Sequence, residues 1–119
     1  MAKIVAVDDV MVDLERMKDV ATSLGHTVLT AKDGEEGFNL IINEKPDLVL
    51  LDIVMPKMNG FQVCRELRSR PEVGDTKVIM ITSKSADTDK FYGLKQGANE
   101  YLKKPFTDND LVKMIKKYV

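Results

Sequence analysis

Four short apolar runs constrain this chain more than any other feature, because each ends in a polar residue and the four ends together supply three chemical kinds. Lys3-Ile4-Val5-Ala6-Val7 ends in Asp8-Asp9, and Leu48-Val49-Leu50-Leu51 ends in Asp52. Val78-Ile79-Met80-Ile81 ends in Thr82-Ser83, and Glu100-Tyr101-Leu102-Lys103 ends in Lys104-Pro105. As parallel strands of one sheet, all four runs end on the same edge. Ligands of open α/β sheets bind at that carboxyl edge. Three carboxylates, a hydroxyl and an ammonium in one crevice match a divalent cation together with a phosphoryl group.

Helical patterns fill the intervals. From about Val10 to Leu24, the residues Met11, Leu14, Met17, Lys18 and Ala21 mark one face at helical spacing, and Gly25 stops it. Residues 27–31 read as a short second strand. Asp33-Gly34 is a turn, and a helix with Phe38, Leu40, Ile41 and Ile42 runs on to Asn43, before Lys45-Pro46 breaks it. After the loop from Met55-Pro56 to Gly60, a third helix is expected to about Arg70, closed by Pro71. A fourth runs from about Asp87 to Gln96 with Gly97 as its stop, and Thr107 is the expected N-cap of the fifth. The order is (βα)₅, a doubly wound α/β fold: right-handed crossovers give a five-stranded parallel sheet with helices on both faces. The entirely apolar first strand is expected at the centre beside the third, with the second at an edge.

With 119 residues, 44% of them hydrophobic, the chain is the size of one domain with a real core, expected over residues 1–119. No apolar stretch approaches the roughly 20 residues that span a bilayer, so no membrane partner is expected. The N-terminus enters a strand without the pattern of a signal peptide, and the single cysteine, Cys64, fits a reducing compartment; both point to the cytoplasm. Cys64 falls in a helical pattern and reads as a small buried hydrophobe. A net charge of -1 gives no global attraction to nucleic acid. The charge is uneven, however. Residues 1–60 carry 6 basic and 11 acidic groups, and residues 61–119 carry 12 basic and 8 acidic groups. The acidic half suits a cation site, and the basic half suits an acidic partner.

Mg²⁺ takes hard oxygen ligands, keeps several waters and is commonly held by one or two carboxylates plus phosphate oxygens. Asp8, Asp9 and Asp52 supply such a cluster, and their mutual repulsion favours a cation. Taken singly, Asp8-Asp9 is equally an N-cap and Asp52 a loop starter; their joint position at buried strand ends is what singles them out. Asp52 is the better nucleophile candidate, since a carboxylate can accept a phosphoryl group as an acyl phosphate. Lys104 is a point-charge phosphate ligand, and the Thr82 hydroxyl can hydrogen-bond a phosphoryl oxygen.

The motifs Val7-Asp8-Asp9, Asp52-Ile53-Val54-Met55-Pro56-Lys57-Met58-Asn59-Gly60, Ile81-Thr82-Ser83 and Lys104-Pro105-Phe106 stand in order along the whole chain. In this set the sequence resembles the receiver domains of two-component signalling, the CheY-like family. The resemblance implies the strand order 2-1-3-4-5 and phosphorylation of Asp52 by a His-phosphorylated sensor kinase. It implies that Asp9, Asp52 and the Val54 main-chain carbonyl ligate Mg²⁺, with Asp8 acting through water. It makes Thr82 the switch hydroxyl, Lys104 the phosphate-binding cation and Tyr101 the aromatic rotamer switch. A downstream protein is then expected on the surface of the fourth helix, fifth strand and fifth helix, where Lys84, Lys90, Lys95 and Lys103 favour an acidic or amphipathic segment. The chain ends directly after the fifth helix, so a monomeric, stand-alone regulator of the chemotaxis type is expected, not itself an enzyme on another substrate. The stretch around Thr82-Ser83-Lys84, Thr88 to Gly93 and Gln96-Gly97-Ala98 is similar to single-domain regulators of type IV pilus twitching motility. The family's chemotaxis member has an amide or acid that places the hydrolytic water; Val54 and Lys84 depart from that pattern.

Three alternatives carry other expectations. A phosphate sink or relay intermediate for a shared kinase uses the same residues. A Mg²⁺-dependent phosphohydrolase with an Asp nucleophile usually places a second Asp two residues on, where this chain has Val54. A flavodoxin-like electron carrier needs a Ser/Thr/Gly nest for the flavin phosphate, whereas the first turn here is Val7-Asp8-Asp9-Val10.

Overall fold

Strand and helix alternate strictly in the computed structural model, which describes residues 1–84 and 86–119. The elements are β1 (Lys3–Val7), α1 (Met11–Ser23), β2 (Thr27–Ala31), α2 (Gly34–Glu44), β3 (Leu48–Leu51), α3 (Gly60–Arg68), β4 (Lys77–Thr82), α4 (Asp87–Lys95), β5 (Glu100–Lys103) and α5 (Asp108–Tyr118). All strand pairs are parallel, and the order is β2-β1-β3-β4-β5. The apolar β1 and β3 therefore lie inside the sheet and β2 at an edge, as their composition requires.

Strand pleating divides the apolar runs between two layers, because successive side chains point to opposite faces. Val5, Val7, Val49, Leu51, Val78 and Met80 pack with Ile41 of α2 and Val63, Cys64 and Leu67 of α3. Ile4, Ala6, Leu48, Leu50, Ile79 and Ile81 pack with Leu14, Met17 and Ala21 of α1 and Leu111 and Ile115 of α5. Cys64 is fully buried, and burial pushes its thiol pKa up, so it is a packing residue.

Two helical expectations need correction. The buried stripe of α1 is Leu14, Met17, Val20 and Ala21, while Met11 and Lys18 are exposed. At 100° per residue the stripe centres nearer Val20, which turns both Lys18 and Met11 toward water. The third helix stops at Arg68 instead of Arg70. There the Arg68 guanidinium donates to the carbonyls of Gly74, Thr76 and Gly97 and to Asn99 Oδ1, at 2.6–3.2 Å. That fan of bonds folds residues 69–76 back under the helix end and ties them to the α4–β5 turn. Gly97, at φ +108°, occupies that turn in a conformation open to glycine.

The helix α4 is attached differently from the others. Gly93 is its buried residue, and Phe91, Tyr92 and Leu94 are exposed large hydrophobics. A Cβ on Gly93 would stand 2.9 Å from the Met80 sulfur and 3.3 Å from the Tyr101 ring, so the helix backbone rests directly on β4 and β5.

Candidate functional site

Parallel register brings the predicted residues to one edge. Val7 pairs with Leu51, Leu51 with Met80, and Thr82 with Lys103. The chain leaves each strand still tethered to its neighbour. Asp52 N donates to Val7 O at 3.0 Å, and Lys104 N donates to Thr82 O at 2.8 Å. Asp8, Asp52 and Lys104 therefore stand side by side at the mouth of the central strands.

Asp8, Asp9 and Asp52 each offer a carboxylate oxygen, and these atoms all lie within 4.8 Å of one another. Their surroundings differ. Asp8 is fully buried; its Oδ1 accepts from Val10 N at 2.9 Å and its Oδ2 from Lys104 Nζ at 2.7 Å. Asp9 is exposed. Asp52 is 5% exposed, and its Oδ1 accepts from Ile53 N at 2.8 Å. Val54 follows two residues later in the β3–α3 loop with its side chain 56% exposed. The N-cap of α1 is Val10, without a side-chain cap bond, so Asp8 stabilises the turn before the helix and Asp9 makes no cap.

The electrostatics set Asp52 apart. Burial, reinforced by the Asp8 charge, raises its pKa to about 6 against the pull of Lys104, the Ile53 N–H and the Thr82 hydroxyl. Lys104 Nζ is 3.8 Å from Asp52 Oδ2 but closer to two other carboxylates, Asp8 Oδ2 at 2.7 Å and Asp13 Oδ2 at 2.8 Å. Burial pulls the Lys104 ammonium down, and its bonds to Asp13 and Asp8 outweigh that, so its pKa is raised and it stays charged.

Thr82 is fully buried at the end of β4, and its Oγ1 accepts from Lys84 N at 3.3 Å. Tyr101 is half-buried against the α3-side core, with its hydroxyl donating to the Lys84 carbonyl. Burial, with the charges of Asp89 and Asp52, pushes the Tyr101 phenol up to about 12, so it remains a donor. Lys84 Nζ lies 3.8 Å from Asp89 Oδ1. Lys84, Lys90, Lys95 and Lys103 are all exposed, and Lys95 Nζ lies 5.5 Å from the centroid of the exposed Phe91 ring.

Of the residues assigned to the site from sequence, Asp8, Asp9, Asp52, Val54, Thr82 and Lys104 lie at the strand ends or just beyond them, whereas Tyr101 pairs with Met80 inside β5 and connects to the edge through Lys84. Asp13 was not among them, although it carries one of the two short bonds to Lys104. An acid in the first turn of a helix already has a local explanation in the helix dipole, so its sequence position carries no signal of a long-range partner.

The model of the response regulator receiver domain matches residues 4–116. The chain belongs to the response regulator receiver family. It is 44% identical to Protein PilH of Pseudomonas aeruginosa over 115 residues, covering 97% of this chain and 95% of that protein. Its fold is similar to the chemotaxis protein CheY4 of Vibrio cholerae, with a TM-score of 0.93 at 29% identity and 100% and 99% of the two chains covered. A BeF3-activated DrrB receiver domain superposes with a TM-score of 0.85 at 31% identity, covering 99% and 97%. This receiver is a module of two-component signalling, and it carries the acidic triad at the carboxyl edge of its sheet.

Proposed function

We propose that Asp52 accepts a phosphoryl group from a His-phosphorylated sensor kinase and that the modified domain changes its affinity for a downstream protein. The observation that carries this reading is the setting of Asp52: a nearly buried carboxylate at a strand end, facing a charged lysine, with two further carboxylates alongside. An Asp52 oxygen attacks phosphorus, an acyl phosphate forms, and the bond from phosphorus to the donor's leaving group breaks. Lys104 offsets charge on the phosphoryl oxygens, and the Thr82 hydroxyl donates to one of them. The hard-oxygen donor set of Asp9, Asp52 and the Val54 carbonyl suits Mg²⁺, with Asp8 held back by its two existing hydrogen bonds. Bound there, the ion neutralises phosphoryl oxygens during transfer.

The signal leaves through Thr82 and Tyr101. When Thr82 turns to the phosphoryl group, it alters the contact with Lys84 N, the residue whose carbonyl holds the Tyr101 hydroxyl. The responding surface is α4, β5 and α5. The exposed Lys84, Lys90, Lys95 and Lys103, with the exposed Phe91, suit an acidic or amphipathic segment of the partner. Likeness to PilH and the Thr82–Ala98 motifs support a place among regulators of type IV pilus motility, acting as a monomer in the cytoplasm.

Incubation with acetyl phosphate and Mg²⁺, read by intact mass, tests the acceptor. One phosphoryl adduct is expected on the parent and none on Asp52→Asn; a full adduct on the variant overturns the assignment. Phosphorylated Thr82→Ala should keep its adduct and lose most of the phosphorylation-dependent change in partner binding.

A further inference from the structure

The position of Lys104 in the unphosphorylated protein is decided by three carboxylates competing for one ammonium. Two hold it at hydrogen-bond distance, Asp8 at 2.7 Å and Asp13 at 2.8 Å, and Asp52 at 3.8 Å does not. Asp8 is buried and is fixed by Val10 N, so its geometry is rigid. Asp13 is different: its side chain is 29% exposed, on the outer flank of the site. One turn further along α1, Arg16 Nε donates to Asp108 Oδ1 at 2.8 Å, and its guanidinium lies 4.8 Å from the Phe106 ring centroid. One face of α1 thus grips the segment after β5 at Lys104, Phe106 and Asp108.

We propose that Asp13 is a positioning residue that parks Lys104 away from Asp52, and that its release sets the domain's affinity for a phosphoryl group. The inference rests on the reading of Asp52 as the acceptor. A phosphoryl group on Asp52 brings roughly -1.5 to -2 charge and strong acceptor oxygens. Lys104 has three N–H donors and can keep Asp8 while exchanging Asp13 for a phosphoryl oxygen. Asp13 is the partner that is cheaply surrendered, because its carboxylate regains water at the rim, whereas Asp8 has none to turn to. The unmodified state is thereby favoured, and the bond to Asp13 opposes phosphoryl binding.

The test measures the affinity for beryllofluoride, a stable phosphoryl mimic, with Mg²⁺ by amide NMR titration. Four proteins are compared: the parent, Asp13→Asn, Lys104→Gln and the double variant. Asp13→Asn should bind beryllofluoride about three- to tenfold more tightly than the parent. In the Lys104→Gln background the same substitution should have no effect, which a purely structural role or a through-space field of Asp13 would not produce. Unchanged or weaker binding by Asp13→Asn overturns the proposal. So does tightening that persists without Lys104. A parent that binds no beryllofluoride overturns the acceptor reading as well, and this separates the two failures.

Discussion

Gly60 presses its backbone against Asp52: a Cβ at Gly60 would stand 2.3 Å from the Asp52 carbonyl oxygen and 2.9 Å from the Ile53 α-carbon. Gly60 N also donates to Ile53 O at 2.8 Å. The first residue of α3 thus seats directly on the peptide that carries the Asp52 carboxylate. The capping box of Asn59 with Gln62 holds that helix start in place. Fixed from behind, the Asp52 side chain has little freedom except toward the crevice.

Gly60→Ala should therefore be destabilising by about 2–3 kcal/mol, since the obstacles are backbone atoms that cannot swing aside. Urea unfolding checks it, and an unchanged midpoint would contradict the close approach.

Asp52 gives a pH dependence with a definite sign. Its folded pKa of about 6 is above the ordinary carboxylate value of 3.8, so the protonated form favours folding. That contribution is complete below pH 4 and is lost as pH rises through about 6. In metal-free buffer, Asp52→Asn should then match the parent near pH 4 and exceed it by about 2–3 kcal/mol at pH 7.5, by the conversion of pKa shift to free energy. A gap that is constant with pH would show that burial and Asp8 do not penalise the charge.

Mg²⁺ should raise the melting temperature of the parent, because an ion among Asp8, Asp9 and Asp52 relieves their repulsion in the folded state alone. At about ten times Kd the gain is roughly 1.4 kcal/mol. Chelation with EDTA should reverse it, and Asp9→Asn should blunt it. A melting curve indifferent to tens of millimolar Mg²⁺ would argue against the site.

Phosphate lifetime should depend on Val54 and Lys84. Val54 presents an exposed apolar side chain, and Lys84 Nζ lies near Asp89, so neither aligns an attacking water as a carboxamide or carboxylate does. The Val54→Asn, Lys84→Glu double variant should lose its phosphoryl group faster than the parent, followed by intact mass after removal of the donor. A longer-lived adduct in the double variant would refute this account of the water.

The strands, their order of burial and the chemical kinds gathered at the sheet edge were all legible in the sequence. Uninterrupted apolar runs such as Leu48–Leu51 have only the doubly covered interior of a sheet to fill, and the residue after each run has only the edge to occupy. That logic is local, so Asp8, Asp9, Asp52, Thr82 and Lys104 could be named without coordinates. The family resemblance supplied strand order and roles, as for Tyr101 and Val54, that spacing alone does not contain. What tertiary structure decided was the partner of each charge. The end of α3 depends on Arg68 meeting carbonyls from the β4 and β5 approaches. The face of α1 depends on how the helix rolls against β1 and α5, which exposes Lys18 and turns Asp13 toward Lys104. Propensity and periodicity act over a few residues, whereas an ion pair forms wherever packing leaves two charges within reach, so Asp13 reads as a helix-start acid until the fold brings Lys104 to it.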